Sequence, residues 1–151
     1  MKLPVYLELL ETSETALAAS FRVVGRGHAD DADIFHTCST LAQQCDQHAE
    51  ALAPVVERYG RAEAAEADRR FEAMAQARSG PLGLLRDLHD VFVLASLVEM
   101  TWTLVQQAAK ALRDEELLSV VSSALAQTEV QLAWLRTRLK VAAPQTLVAA
   151  S

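Results

Sequence analysis

Aromatic side chains are scarce in this 151-residue chain, at 5%, and only five glycines and four prolines interrupt it. Sheets draw on aromatic and β-branched residues and on frequent turn formers. Here 51% of residues are hydrophobic, mostly Ala, Leu and Val, and that composition favours helix. Basic runs are also missing. The net charge of −6 comes from acids scattered among Arg and Lys, with no stripe suited to phosphates, so nucleic acid and an anionic membrane are both disfavoured as partners. There is no Gly-rich phosphate loop and no serine nucleophile elbow. The start of the chain has Lys2, Pro4 and Glu8 but no apolar run with a cleavage site, so no secretory signal is expected. The longest weakly polar stretch, residues 91–105, holds Glu99 and is too short to span a bilayer. A single-domain, cytoplasmic protein is the expectation.

The two cysteines, Cys38 and Cys45, are seven residues apart in one predicted helix. That places them about 10 Å from each other, too far for a disulfide.

Stop signals mark four long helices. The first, about 4–27, opens on Pro4 and ends near Gly25 or Gly27. The second, about 30–59, begins in the acidic Asp30-Asp31-Ala32-Asp33 run, ends at Gly60 and has Pro54 as a candidate kink. The third covers about 82–112, after the Ser79-Gly80-Pro81 break. The fourth covers about 114–142 and should stop before Pro144. Residues 60–81, rich in Ala, Glu and Arg, read as a crossover with a short solvated helix. Two hairpins joined by one long connection form an all-α, antiparallel four-helix bundle. Helix faces this apolar, with an apolar tail from Pro144, predict a homodimer or higher oligomer.

Helical phase at about 100° per residue shows which polar groups turn inward. In the second helix Cys38, Leu41, Ala42, Cys45, Ala49, Leu52 and Val56 form one apolar stripe, with His48 on its flank. In the third, Leu84, Leu88, Phe92, Ala95, Trp102 and Ala109 form the stripe. Glu99 is expected near its centre, with Gln106 one row below. In the first helix Ser13 joins Leu3, Tyr6, Leu10, Leu17 and Val24, and Glu14 lies at the edge. An ionised carboxylate inside a core costs several kcal/mol unless something compensates it. Residues 39–52 also align with 122–135, matching Ser39 to Ser122, Gln44 to Gln127 and Leu52 to Leu135. A nearby offset brings Glu14 onto Glu99.

This pattern resembles the ferritin-like superfamily, particularly rubrerythrin-like four-helix proteins. There, each hairpin supplies a Glu from one helix and a Glu-x-x-His from the next to a di-metal site. The resemblance implies that Glu14 and Glu99 match the single glutamates and His48 the histidine of the second helix. Cys45 stands where a glutamate belongs, and Thr128 with Gln131 replace both ligands of the fourth helix.

Three functional expectations follow. The first is a non-catalytic ferritin-like protein with no cofactor, in which Glu99 accepts hydrogen bonds from Thr128, Gln131, Ser13 or His48. It would serve as a structural, interaction or small-ligand-binding module. The second is an altered mononuclear Fe, Mn or Zn site on Glu14, His48, Glu99 and Cys45. The third is a thiol redox protein using Cys45 beside His48. His28, His36 and His89 fall toward helix ends or solvent. Trp102 and Trp134 are expected in the core or at a helix-pair interface.

Overall fold

The structure is a computed structural model and describes residues 1–62 and 72–149. Four long helices account for nearly all of them: α1 (Leu3–Gly27), α2 (Ala32–Tyr59), α3 (Gly80–Leu112) and α4 (Glu115–Pro144). There is no strand among the described residues. Local chemistry explains the helix ends. Asp31 caps α2 by accepting from the Ile34 amide, and Asp114 caps α4 by accepting from the Leu117 amide. Pro residues sit in the first turns of α1 and α3, where a missing N–H removes no helical bond. The chain leaves α2 through Gly60 at φ +84°, a conformation that favours glycine. It passes from α3 to α4 through Arg113 in the left-handed region and Asp114 alone.

The expectation that the last helix stops before Pro144 is corrected, because α4 includes Pro144 and runs into a π-helical turn, Gln145–Ala149. α2 likewise continues through the exposed Pro54. Residues 63–71 of the crossover expected to hold a short helix lie outside the described residues, and residues 72–79 form no helix.

Each helix packs on two neighbours. α1 lies against α2 and α3, and α4 against α3 and α2, while α1 and α4, like α2 and α3, make no close backbone approach among the described residues. Ion pairs join α2 to α4 near both ends. Arg58, at the end of α2, bonds Asp114 at 2.8 Å, and Arg138, late in α4, bonds Asp31 at 2.7 Å. Tyr59 also donates to Asp114 at 2.5 Å. Burial disfavours the charged form of Asp114, yet Tyr59, the Leu117 amide and Arg58 together hold its pKa down at about 2.

The end of α1 meets the start of α3 through a buried carboxylate. Asp87 is 0% exposed and accepts from His28 Nε2 at 2.9 Å, the Arg78 amide at 2.9 Å and Arg78 Nη1 at 2.7 Å. Placing His28 among solvent-facing histidines is therefore corrected, since its ring is buried on Asp87. The returning chain passes close to both helices at this point. A Cβ on Gly27 would lie 2.2 Å from the Cβ of Ala77, and one on Gly83 would lie 2.8 Å from the Arg78 carbonyl carbon.

α3 is apolar on two faces. Leu88, Val91, Ala95, Val98, Trp102, Val105 and Ala109 face the core. Val93, Met100 and Leu104 are 60%, 55% and 48% exposed on nearly the opposite side. In length and composition the helix would suffice to cross a membrane, and only 39% of its most apolar window is buried. The expectation of an apolar stretch too short to span a bilayer is corrected to that extent.

Candidate functional site: a buried polar layer

Midway along the bundle, α1, α2 and α4 bring polar side chains into the core. Glu14 is 0% exposed and His48 is 4% exposed. Glu14 Oε2 meets His48 Nδ1 at 2.5 Å, and Gln127 Oε1 lies 2.7 Å from His48 Nε2. One layer along, Gln131 donates to Gln44 Oε1 at 3.1 Å and lies against the Cys45 sulfur. The Trp102 ring stands edge-on to His48, with centroids 6.3 Å apart.

The cross-helix pairs Gln44 with Gln131 and His48 with Gln127 follow from the internal repeat. The offset that maps Gln44 onto Gln127 also maps His48 onto Gln131. Under that offset each pair maps onto the other. Gln127 carried this signal in the alignment but was not singled out as a core residue.

Of the sequence-predicted site residues, Glu14, His48, Cys45 and Gln131 converge on this layer. Ser13 and Thr128 are buried, but their hydroxyls donate to the Leu10 and Ala124 carbonyls of their own helices. They add nothing to the network. The central placement of Glu99 is corrected. It is half-buried, as is Gln106, and its carboxylate receives none of the four expected bonds. The buried face of α3 is centred between Val98 and Trp102, so Glu99 points about 80° away from it at 100° per residue. Drawing the stripe through Leu88 and the half-buried Phe92, without Val91, Val98 and Val105, rotated the helix toward Glu99.

Burial is the largest influence on both members of the central pair. It raises the Glu14 pKa, outweighing His48 and the Trp102 indole, which act the other way. For His48 burial acts downward, but the hydrogen bond and charge of Glu14, with Gln127, outweigh it and raise the pKa. The indole N–H forms no hydrogen bond among the described residues. Trp102 Nε1 and Glu14 Oε1 are both buried without a partner. Glu14 and His48 share one proton, as carboxylate with imidazolium or as acid with imidazole, and the pair is neutral overall either way.

This gives a pH dependence with a definite sign. In the unfolded chain Glu14 releases its proton near pH ~4.3 and His48 near ~6.5. The folded pair keeps its proton to higher pH, so above about pH 6.5 the native state binds more protons than the unfolded state. The stability the pair contributes is present below that pH and is lost as pH rises through the folded value. Melting temperature should fall as pH rises above about 6.5, the stability changing by at most ~1.4 kcal/mol per pH unit for one proton. The fall should vanish in Glu14→Leu/His48→Leu; an equal fall in that variant would assign it to other groups.

Both thiols are buried and free. Burial raises the Cys38 pKa to about 12. Burial, reinforced by the nearby Glu14 charge, raises Cys45 still further. No three His, Cys, Asp or Glu side chains converge as a metal-ligating group among the described residues. The donors present do not fit the di-metal centre of the resembled family, which needs carboxylates and an imidazole from both hairpins. A second concave feature lies between the start of α1 and the end of α3. It is an apolar groove of about 470 Å³ lined by Leu3, Tyr6, Leu104, Ala108 and Leu112, among others.

No protein-family model matches this chain, and no curated protein or solved structure is significantly similar to it.

Proposed function

We propose that this chain is an antiparallel, ferritin-like four-helix bundle that serves as a non-catalytic interaction module, with a hydrogen-bonded polar layer in place of metal ligands. The observation that carries this reading is the engagement of both His48 ring nitrogens, one by Glu14 and one by Gln127. Whichever member of the pair holds the proton, the imidazole has no free lone pair for an ion. Glu99 lies off the core face, and Cys45, Thr128 and Gln131 occupy the remaining ligand positions. The ferritin-like topology is supported by the ion pairs at opposite ends of α2 and α4 and by the His28–Asp87 contact between the end of α1 and the start of α3. A thiol redox role is disfavoured, because a cysteine this buried and this hard to ionise presents no nucleophile. A mononuclear Fe, Mn or Zn ion on Glu14 and His48 would first have to break the bonds that satisfy them.

Metal analysis after expression in Fe-, Mn- and Zn-supplemented medium tests the reading. Less than about a tenth of an equivalent of each metal is expected, with a melting temperature unchanged by chelator. A stoichiometric metal that disappears in His48→Gln would overturn the proposal in favour of a metalloprotein.

A further inference from the structure

α3 carries more apolar surface than the bundle uses. A helix that is apolar all round is either buried or in contact with lipid, and only 39% of the most apolar window of α3 is buried. The side chain most nearly opposite its core stripe is Met100, 55% exposed. Val93 and Leu104 lie within about 40° of Met100, and the half-buried Leu97 within about 60°, at 100° per residue. From residue 91 to residue 109 the one charged side chain is Glu99, and it stands on the flank, about 100° from Met100. Two hydroxyls share the outward side. Ser96 donates to the Phe92 carbonyl at 2.8 Å and Thr103 to the Glu99 carbonyl at 2.9 Å, so both donors are satisfied inside the helix without water. Basic side chains stand beyond the apolar stretch at either end, Arg86 before it and Lys110 after it, both exposed and long enough to reach a polar layer.

The residue types on this face separate a lipid partner from a protein one. Protein interfaces concentrate their binding energy in Trp, Tyr and Arg and fix their geometry with polar pairs. Between Val93 and Leu104 the outward side of α3 has none of those three residue types, and its hydroxyl donors are already spent. A lipid surface requires neither. The stripe also runs into the apolar groove at the end of α3, since Leu104 belongs to both, and Leu3, Tyr6, Ala108 and Leu112 extend the apolar face across the joint with α1. We propose that this face docks the intact bundle on a zwitterionic lipid surface, with α3 lying in the plane of the interface and Val93, Leu97, Met100 and Leu104 turned toward the acyl chains. This names the partner of the interaction-module reading and rests on it. The net charge of −6 gives the chain no attraction to an anionic surface, so apolar burial drives the contact.

Sedimentation of the full chain with phosphatidylcholine vesicles tests the docking. The chain should pellet with them at about 0.1 M and about 1 M salt alike, because screening acts on charges and not on apolar contact. Phosphatidylglycerol in the vesicles should not strengthen binding, and helical circular dichroism should be the same with and without vesicles. Met100→Glu/Leu104→Glu, at two exposed positions, should weaken binding at least about tenfold while the free protein keeps its helical signal. Phe35→Glu changes another exposed apolar residue, but on α2, which makes no close backbone approach to α3 among the described residues, and should bind as the wild type does. An environment-sensitive fluorophore attached at Met100→Cys should shift to the blue with vesicles, and the buried native thiols do not compete for the label. No pelleting with phosphatidylcholine, binding lost at about 1 M salt, an unshifted fluorophore, or an equal loss in Phe35→Glu overturns the proposal. A light-scattering mass of twice 16.5 kDa that the double substitution halves overturns it in favour of a second copy. None of these outcomes depends on metal content, so lipid docking can fail while the metal-free reading stands.

Discussion

Replacing His48 with leucine should destabilise the fold by about 3–5 kcal/mol, the usual cost of removing one partner from a buried ion pair. The loss comes from what is left behind. Glu14 is 0% exposed, and among the described residues one of its oxygens lacks a partner and His48 is the only hydrogen-bond partner of the other. The carboxyl can then remain in the core only by staying protonated, so the deficit should shrink toward acid pH and grow up to about pH 6.5, above which the wild type loses stability as well. Glu14→Leu/His48→Leu removes the pair together and should recover most of the loss, because an apolar pair of similar volume restores packing without an orphaned charge. Glu14→Gln keeps a polar partner for Nδ1 and should cost only about 1 kcal/mol. Urea unfolding of the four proteins at two pH values measures this. A double variant no more stable than His48→Leu would show that the pair contributes packing, not charge compensation.

Asp87→Ala should cost about 2–4 kcal/mol, since three donors lose their acceptor at once and one of them, His28, stays buried. The effect should also be local. Asp87 holds the chain that returns from the crossover against Gly27 and Gly83, so the Arg78 amide should lose most of its hydrogen-exchange protection. Asp87→Asn keeps an acceptor and should restore part of both. If Asp87→Ala melts within about 1 °C of the wild type, Asp87 does not clamp the crossover, because a loss of 1 kcal/mol would shift a domain of this size by several degrees.

Helix ends were legible because they are local events. Asp31, Gly60 and Asp114 each act on backbone groups within four residues, and that chemistry can be read from a short window. The inward turn of Glu14 was legible only approximately. Phase placed it at the edge of a stripe, whereas it is fully buried, because the closeness of α2 and α3 to that edge is a tertiary fact. Glu99 was misplaced for a sharper reason. Phase locates a buried face only approximately in a helix as apolar as α3; a stripe drawn through Phe92 and without Val91, Val98 and Val105 rotates the helix toward Glu99. His28 and Asp87 were out of reach because 59 residues separate them and no repeat or spacing links them. Gln127 was within reach, since the internal repeat pairs it with Gln44.

The sequence by itself determined that the chain is helical, where its four long helices begin and most of them end, and that Glu14 and His48 lie near the core, although it placed Glu99 at the centre as well. Propensity, capping and periodicity act over one or two turns and survive without knowledge of neighbours. Only the tertiary structure decided that Glu14 is compensated by His48, itself held by Gln127, that Glu99 lies off the core face, that Asp87 fastens the returning crossover, and that α3 keeps a second apolar face outward. Each of these depends on the rotation of one helix against another. Packing of whole side-chain layers sets that rotation, and no short window of sequence contains it.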